Sequence, residues 1–451
     1  MGIIVPPCMI HASPQSWAMQ YSQSTEKGPS PLAWLLAIVL LGSLAGSACA
    51  LFLHLLDYAQ ASREAKPWLL YLLPLAGAAI VLMYQYWGGY AAAGMGSLQR
   101  AAEDPQAQPV PARRMAPLIL LTTVLTHLFG GSAGREGTAV QMGGSIASAV
   151  NRLRAFQRNP RARRMLLCCG MAAGFSGLFG TPLAATIFAV EVARLGRLRW
   201  PILLPALLSA LLSNAISHAW GASHALYPQI FAELSPSSWW AQFFSNGLLS
   251  VVVVALGAAL AARLYLFLHH GVESNLRRLV SRAWLRPVIG GLLVIALVWV
   301  SGSRDYLGLG VTHADPEATS ITSAFSEDGA THSSWLWKIV FTAVTLGSGF
   351  KGGEVTPLFF IGATLGHSLA LMLGLSLALA AGLGMMAVFA AASRCPLACA
   401  VMGAELFGWS CLPLLLPCCY AAVALAARQG IYSHRPPADP DDSAAINPTD
   451  R

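Results

Sequence analysis

Hydrophobic and polar positions along this chain fall into long blocks rather than the short periods of a half-buried helix or strand. Apolar runs from Pro31 to Leu56, Pro67 to Trp87, Trp200 to Trp220, Phe243 to Leu268 and Pro287 to Val300 meet or approach the roughly 17–25 residues that carry a helix across a bilayer. Met165 to Val192 and Thr356 to Leu412 are equally apolar, but Gly and Pro cut them into pieces nearer ten to fifteen residues, about half a bilayer each. Half-length pieces survive at membrane depth only when buried in protein, so broken or re-entrant helices are predicted there. Met115 to Leu128 predicts one further helix. The expected fold class is an all-α polytopic membrane protein, and broken helices favour a transporter or channel.

Composition agrees. Of 451 residues, 55% are hydrophobic and 11% charged, against about 25% charged in an ordinary soluble domain. The net charge of +8 does not point to nucleic acid, because the basic residues sit between apolar runs: Arg113 and Arg114, Arg152 to Arg164, Arg194 to Arg199 and Arg277 to Arg286. The positive-inside rule makes these cytoplasmic loops of a multi-pass protein in the plasma (inner) membrane. Cysteines, two pairs of them adjacent at Cys168-Cys169 and Cys418-Cys419, lie in or beside apolar runs without metal-ligand spacing, and read as reduced, buried thiols. The first thirty residues lack the pattern of a cleaved secretory signal.

The chain repeats itself. Gly134-Arg135-Glu136-Gly137-Thr138 aligns with Gly352-Gly353-Glu354-Val355-Thr356 at an offset of 218, at which Gly131 also meets Gly349 and Gly144 meets Gly362. Downstream, Pro182 through Glu191 aligns with Pro396 through Glu405 at an offset of 214. The expected organisation is an N-terminal cytoplasmic tail (1–30), a first transmembrane repeat (31–235), a second (236–434) and a disordered C-terminal tail (435–451). The polar stretch Ser301 to Ser334 reads as an exposed loop, and Ser235 to Trp240 as an interfacial segment. Repeats with matched broken helices are the sequence pointer to a secondary transporter whose helix starts meet near the midplane and hold an anion.

The chemistry gathers at Glu136. A carboxylate is costly in an apolar chain unless protonated, paired or set in a polar cavity, so an intramembrane acid is a functional candidate. Glycines precede Glu136 and an apolar run follows it, which places free amide groups and a positive dipole end at one point. Glu136 would compete with a soluble anion for those donors and leave on protonation, coupling proton to anion. The plainer alternative is glycine packing with Glu136 paired to Arg135. Glu354 is the second acid at a helix start; it either helps protons or anion through the inner half or pairs with Lys351. Thr356 and Tyr432 offer hydroxyl donors. Glu191 and Glu405 read as helix caps or pair partners, and His127 as a satisfied helix histidine. A membrane-embedded enzyme would need a catalytic cluster, and the sequence shows neither His-Glu-x-x-His nor a Gly-Lys-Ser/Thr phosphate loop; no cofactor or metal is expected.

With these residues in view, the chain resembles the CLC family of chloride channels and anion/proton antiporters over most of residues 31 to 435. The family's Gly-Arg-Glu-Gly-Pro motif is represented by Gly134 to Thr138, its Gly-Gly-x-Phe-x-Pro by Gly352 to Pro357, its first anion motif by Gly94-Met95-Gly96-Ser97-Leu98, and its late tyrosine by Tyr432. The departures are Met95 for a chloride-coordinating serine, Thr138 for proline, Val355 for phenylalanine and Val192 for the internal proton-handling glutamate. Together they look like the family's fluoride/proton antiporter branch. The resemblance implies two inverted repeats, a homodimer and export of cytoplasmic fluoride in exchange for protons. Glu136 is then gate and proton carrier, with Glu354 as second acid, and an anion site drawn from Met95, Gly134, Arg135, Gly137, Thr138, Val355, Thr356 and Tyr432. A chloride or nitrate antiporter, or a chloride channel, of the same family is the alternative.

Overall fold

The computed structural model describes residues 28–103, 113–193, 200–230, 247–313 and 315–432. Both expected tails beyond these limits, the basic stretch Arg194 to Arg199, the segment Ser235 to Trp240, the residue Phe243 and the expected boundary at 235/236 lie outside them. The first half supplies α1 (Pro31–Ala65), α2 (Leu73–Met83), α3 (Gly94–Glu103), α4 (Met115–Leu128), α5 (Glu136–Val150), α6 (Pro160–Phe179), α7 (Pro182–Val192) and α8 (Trp200–Ala219). The second supplies α9 (Leu248–Leu279), α10 (Leu285–Ser301), α11 (Ser334–Gly347), α12 (Val355–Leu373), α13 (Leu377–Ser393), α14 (Pro396–Phe407) and α15 (Leu412–Leu425). Among the described residues, five helical segments are long and apolar enough to cross a membrane, those at Pro31–Ala65, Pro67–Gly88, Pro201–Ala219, Leu248–Leu279 and Val355–Leu373. On α1 and α9 the outward positions are large and apolar, including Leu35, Val39, Leu51, Val252, Leu256 and Leu260, the surface a lipid solvent selects.

The breaks fall where Gly and Pro predicted them, after Phe179 and Phe407 and ahead of Pro182 and Pro396. The pieces are longer than expected, with α6 at 20 residues, α12 at 19 and α13 at 17. A glycine inside an apolar run often marks a helix crossing instead of a helix end. At Gly143 an added Cβ would lie 2.0 Å from the Gly170 carbonyl oxygen, and at Gly362 it would lie 2.2 Å from that of Gly384. These are backbone-to-backbone contacts of α5 with α6 and of α12 with α13, the packing that small residues permit where lipid offers no hydrophobic drive.

The repeat register is 219 in this region, one more than sequence alignment gives. The starts of α4 and α11 and of α5 and α12 stand 219 apart, as do Gly130 and Gly349, both left-handed at φ 89° and 108°, and the crossing glycines Gly143 and Gly362. Glycine-rich loops match at either register, and pairing the two glutamates tipped the choice wrongly. The structural counterpart of Glu136 is Val355, and that of Glu354 is Arg135.

Two reciprocal contacts tie the halves. Gly134 and Gly353 exchange both backbone hydrogen bonds, at 2.6 and 2.7 Å. Glu191, near the end of α7, accepts from the Leu397 and Ala398 amides at the start of α14, while Glu405, near the end of α14, accepts from the Leu183 and Ala184 amides at the start of α7. Exchanged roles of this kind are the signature of an approximate two-fold relation. The reading of Glu191 and Glu405 as caps therefore holds. Hydrogen bonds to a charged acceptor contribute about 1.5–3 kcal/mol, so Glu191→Gln and Glu405→Gln are each expected to lower the thermal midpoint of the detergent-solubilised protein by similar amounts. A variant pair in which one substitution is silent would show that the caps are unequal.

The segment from Ser301 to Ser334 is not simply an exposed loop. Tyr306, Leu307, Leu309, Val311, Ile321 and Ala324 are buried. Lys338 of α11, fully buried, donates to the Tyr306 and Gly308 carbonyls at 3.0 and 2.9 Å and lies over the Phe360 ring. Its ammonium is solvated by carbonyls and a π face in place of water. The acids Asp315, Glu317, Glu327 and Asp328 stay outside, which is why the stretch reads as polar. The described cysteines are all buried thiols, as expected.

Candidate functional site

Helices α5 and α12 begin within hydrogen-bond reach of each other, so the unpaired amides and positive dipole ends of both point into one small volume. Glu136 fills that volume. Its side chain is fully buried, and its Oε2 accepts from the Arg135 amide at 3.1 Å and the Thr356 amide at 2.9 Å. Its Oε1 accepts a hydrogen bond from the Thr356 hydroxyl and lies 3.7 Å from Arg135 Nε. One donor comes from the α5 start and two from the α12 start, so the carboxylate bridges the repeats. The plainer expectation of an Arg135–Glu136 pair is met only as this longer contact, and Arg135 Nε, buried, makes no hydrogen bond.

Gly353 makes the approach possible. An added Cβ there would stand 2.8, 3.0 and 3.2 Å from the backbone nitrogens of Gly137, Glu136 and Arg135. Sequence reading did not single out Gly353 as a site residue; what marks it is the register, which sets it opposite Gly134.

The other predicted residues divide. Gly134, Arg135, Gly137, Val355 and Thr356 lie at the meeting point, Val355 fully buried as the first residue of α12. Thr138 turns away: its hydroxyl pairs with that of Thr123 in α4 at 2.9 Å. Met95 is half-buried in α3 and packs against the apolar core. Tyr432 sets its ring edge-on to Phe188 at 5.9 Å, and its phenol lies near enough to Glu136 and Glu354 to feel both charges. Val192 is buried, and its carbonyl accepts from Gln99 of α3 at 3.3 Å. His127 is only half satisfied, with Nε2 3.4 Å from the Gly134 oxygen and Nδ1 without a partner.

Glu354 does not pair with Lys351. It stands at the position just before α12 without a side-chain capping hydrogen bond, and accepts instead from the Tyr265 hydroxyl at 2.9 Å, with His269 Nδ1 3.9 Å away, both residues on α9. Lys351 lies over the Tyr84 ring instead, at 4.6 Å. The slip of one register position accounts for this: standing where Arg135 stands in the first half, Glu354 points away from the helix axis toward α9 and not into the space that Glu136 occupies.

Comparisons with known proteins agree with this geometry. Residues 76–427 match the voltage gated chloride channel family. A chloride/fluoride channel protein of Pseudomonas syringae pv. tomato is 42% identical over 405 residues, covering 88% of this chain and 85% of its own. The crystal structure of a CLC-type fluoride/proton antiporter superposes with a TM-score of 0.77 at 32% identity, over 89% of this chain and 97% of the other. A slow cyanobacterial Cl−/H+ antiporter shares the fold, with a TM-score of 0.70 at 19% identity over 87% and 94% of the two chains. The chain is an integral membrane protein and belongs to the voltage gated chloride channel (CLC) family.

Proposed function

We propose that the protein exports fluoride from the cytoplasm in exchange for protons, as a homodimer in the plasma (inner) membrane with repeats at 31–235 and 236–434, and so confers fluoride resistance. The observation that carries this reading is the Glu136 carboxylate held by two helix-start amides and the Thr356 hydroxyl. Those are the donors a small anion needs in place of water. Protonation removes the carboxylate's charge and its claim on them. One anion then takes the donors while the proton moves with the side chain, and the proton gradient drives export without ATP.

Fluoride is favoured over chloride by Met95 where the resemblance expects a serine, and by the fluoride named in two of the relatives. A chloride or nitrate antiporter, or a chloride channel, is the reading the test must exclude. Efflux from liposomes is expected to be far faster for fluoride than for chloride or nitrate, and wild-type chloride efflux equal to or faster than fluoride efflux rejects the assignment. Met95→Ser should narrow the difference modestly, since one hydroxyl is worth about 1 kcal/mol, or roughly fivefold.

A further inference from the structure

A series of titratable side chains runs from Glu354 toward the C-terminal end of α9. Tyr265, His269 and Glu273 are spaced four apart on one face of that helix, and this face meets the start of α12. Glu354 Oε1 lies 3.9 Å from His269 Nδ1. The His269 and His270 rings stand edge to face with centroids 5.4 Å apart. His270 Nδ1 is 3.7 Å from Glu273 Oε2, whose other oxygen accepts from Arg277 at 2.9 Å.

Side-chain exposure gives the series a direction, rising from 16% at His269 and 20% at Glu354 to 34% at His270 and 36% at Glu273. Arg277, Arg278, Arg282 and Arg286 follow directly, so the open end faces the cytoplasm. Neither Nδ1 makes a hydrogen bond. What sets these two apart from the buried His127, whose Nδ1 is also unpaired, is that each faces a carboxylate across a gap too long for a hydrogen bond and short enough for one water or a change of rotamer to close. The charged and titratable neighbours are Tyr265 on Glu354, Tyr432 within electrostatic reach of both, and Lys351 within reach of Glu273 and Arg277. Cations at the outer end shorten the stay of an imidazolium, and the two carboxylates draw the proton onward at either end.

We propose that His269 and His270, with Glu273, form the relay that passes protons between Glu354 and the cytoplasm; the proposal rests on the exchange reading above. In the direction of proton entry into the cell, the Glu354 carboxyl gives its proton to His269, which becomes an imidazolium. A proton then leaves His269 for His270, and one leaves His270 for water beside Glu273. Each ring returns to neutral, and one proton has crossed for each that reached Glu354. Only Val355 separates Glu354 from Thr356, the residue that holds Glu136.

The test is fluoride-driven proton uptake in liposomes by the wild type, H269Q/H270Q and the more exposed single variant His270→Gln, with imidazole added on the face carrying the α9 end, and fluoride binding measured alongside. A positioned proton-transfer group is worth about 100-fold or more in rate. The double variant is expected to lose about that much of the wild-type proton rate while still binding fluoride, the single variant to lose part of it, and imidazole to restore both. Wild-type proton uptake matched by the double variant overturns the relay and leaves the exchange reading intact. Slow uptake that imidazole does not restore also overturns it, making the histidines packing residues. A wild type that takes up no protons overturns the exchange reading and the relay with it.

Discussion

Glu136→Gln is expected to abolish fluoride-driven proton uptake. Glutamine keeps the shape of the glutamate and an oxygen that accepts from the Thr356 amide or hydroxyl, so the meeting of α5 and α12 should survive. What it loses is the exchangeable proton. A fully buried carboxylate that bridges both repeats is also the anion's competitor, and in glutamine the competing charge is gone at every pH, as it is in a permanently protonated glutamate. Fluoride movement should therefore lose its coupling to protons even where it continues. Recordings of pH in liposomes with an imposed fluoride gradient decide the point: proton uptake at the wild-type rate would remove Glu136 from the proton path.

How much of this was legible in the chain depends on what kind of physics fixed each part. Long apolar runs and a charge fraction of 11% dictate membrane helices, because little else in a bilayer satisfies the backbone. The breaks at Pro182 and Pro396 were legible for the same reason that proline stops a helix. Glu136 was legible because an acid among glycines in an apolar chain has few other uses. The one-residue register was not, since Gly134 matches Gly352 or Gly353 about equally well, and only the Gly134–Gly353 contact in space separates the two. The partners of Glu354 were out of reach too. Tyr265 and His269 lie 89 and 85 positions away, on a helix whose rotation no sequence period reveals. The segment around Tyr306 misled because its polar residues outnumber its apolar ones, while a buried lysine at Lys338 holds its backbone carbonyls inward.

Gly353→Ala should be nearly as damaging to exchange as loss of the gating acid, although it changes one hydrogen into a methyl and touches no charge. The backbone at Gly353 is outside the left-handed region, so alanine pays no conformational penalty there and the effect is steric. The methyl would stand 2.8–3.2 Å from three backbone nitrogens at the start of α5, closer than carbon packs against nitrogen, and neither helix start can yield without stretching the paired hydrogen bonds between Gly134 and Gly353. Overpacking of this kind costs about 1–3 kcal/mol, which a membrane protein can absorb by parting the two helix starts. Parting them moves the Thr356 donors away from the Arg135 amide, and misplacement of about 1 Å in such a site costs on the order of 100-fold in rate. Gly353→Ala is thus expected to insert and purify, yet to exchange fluoride about 100-fold more slowly. Gly271→Ala, on α9 where an added Cβ meets nothing within 4 Å, should exchange at the wild-type rate. Both variants, reconstituted at equal density and followed by a fluoride electrode, measure the difference. Full-speed exchange by Gly353→Ala would mean that the two helix starts have room to spare, and that the donor set around Glu136 does not depend on their close approach.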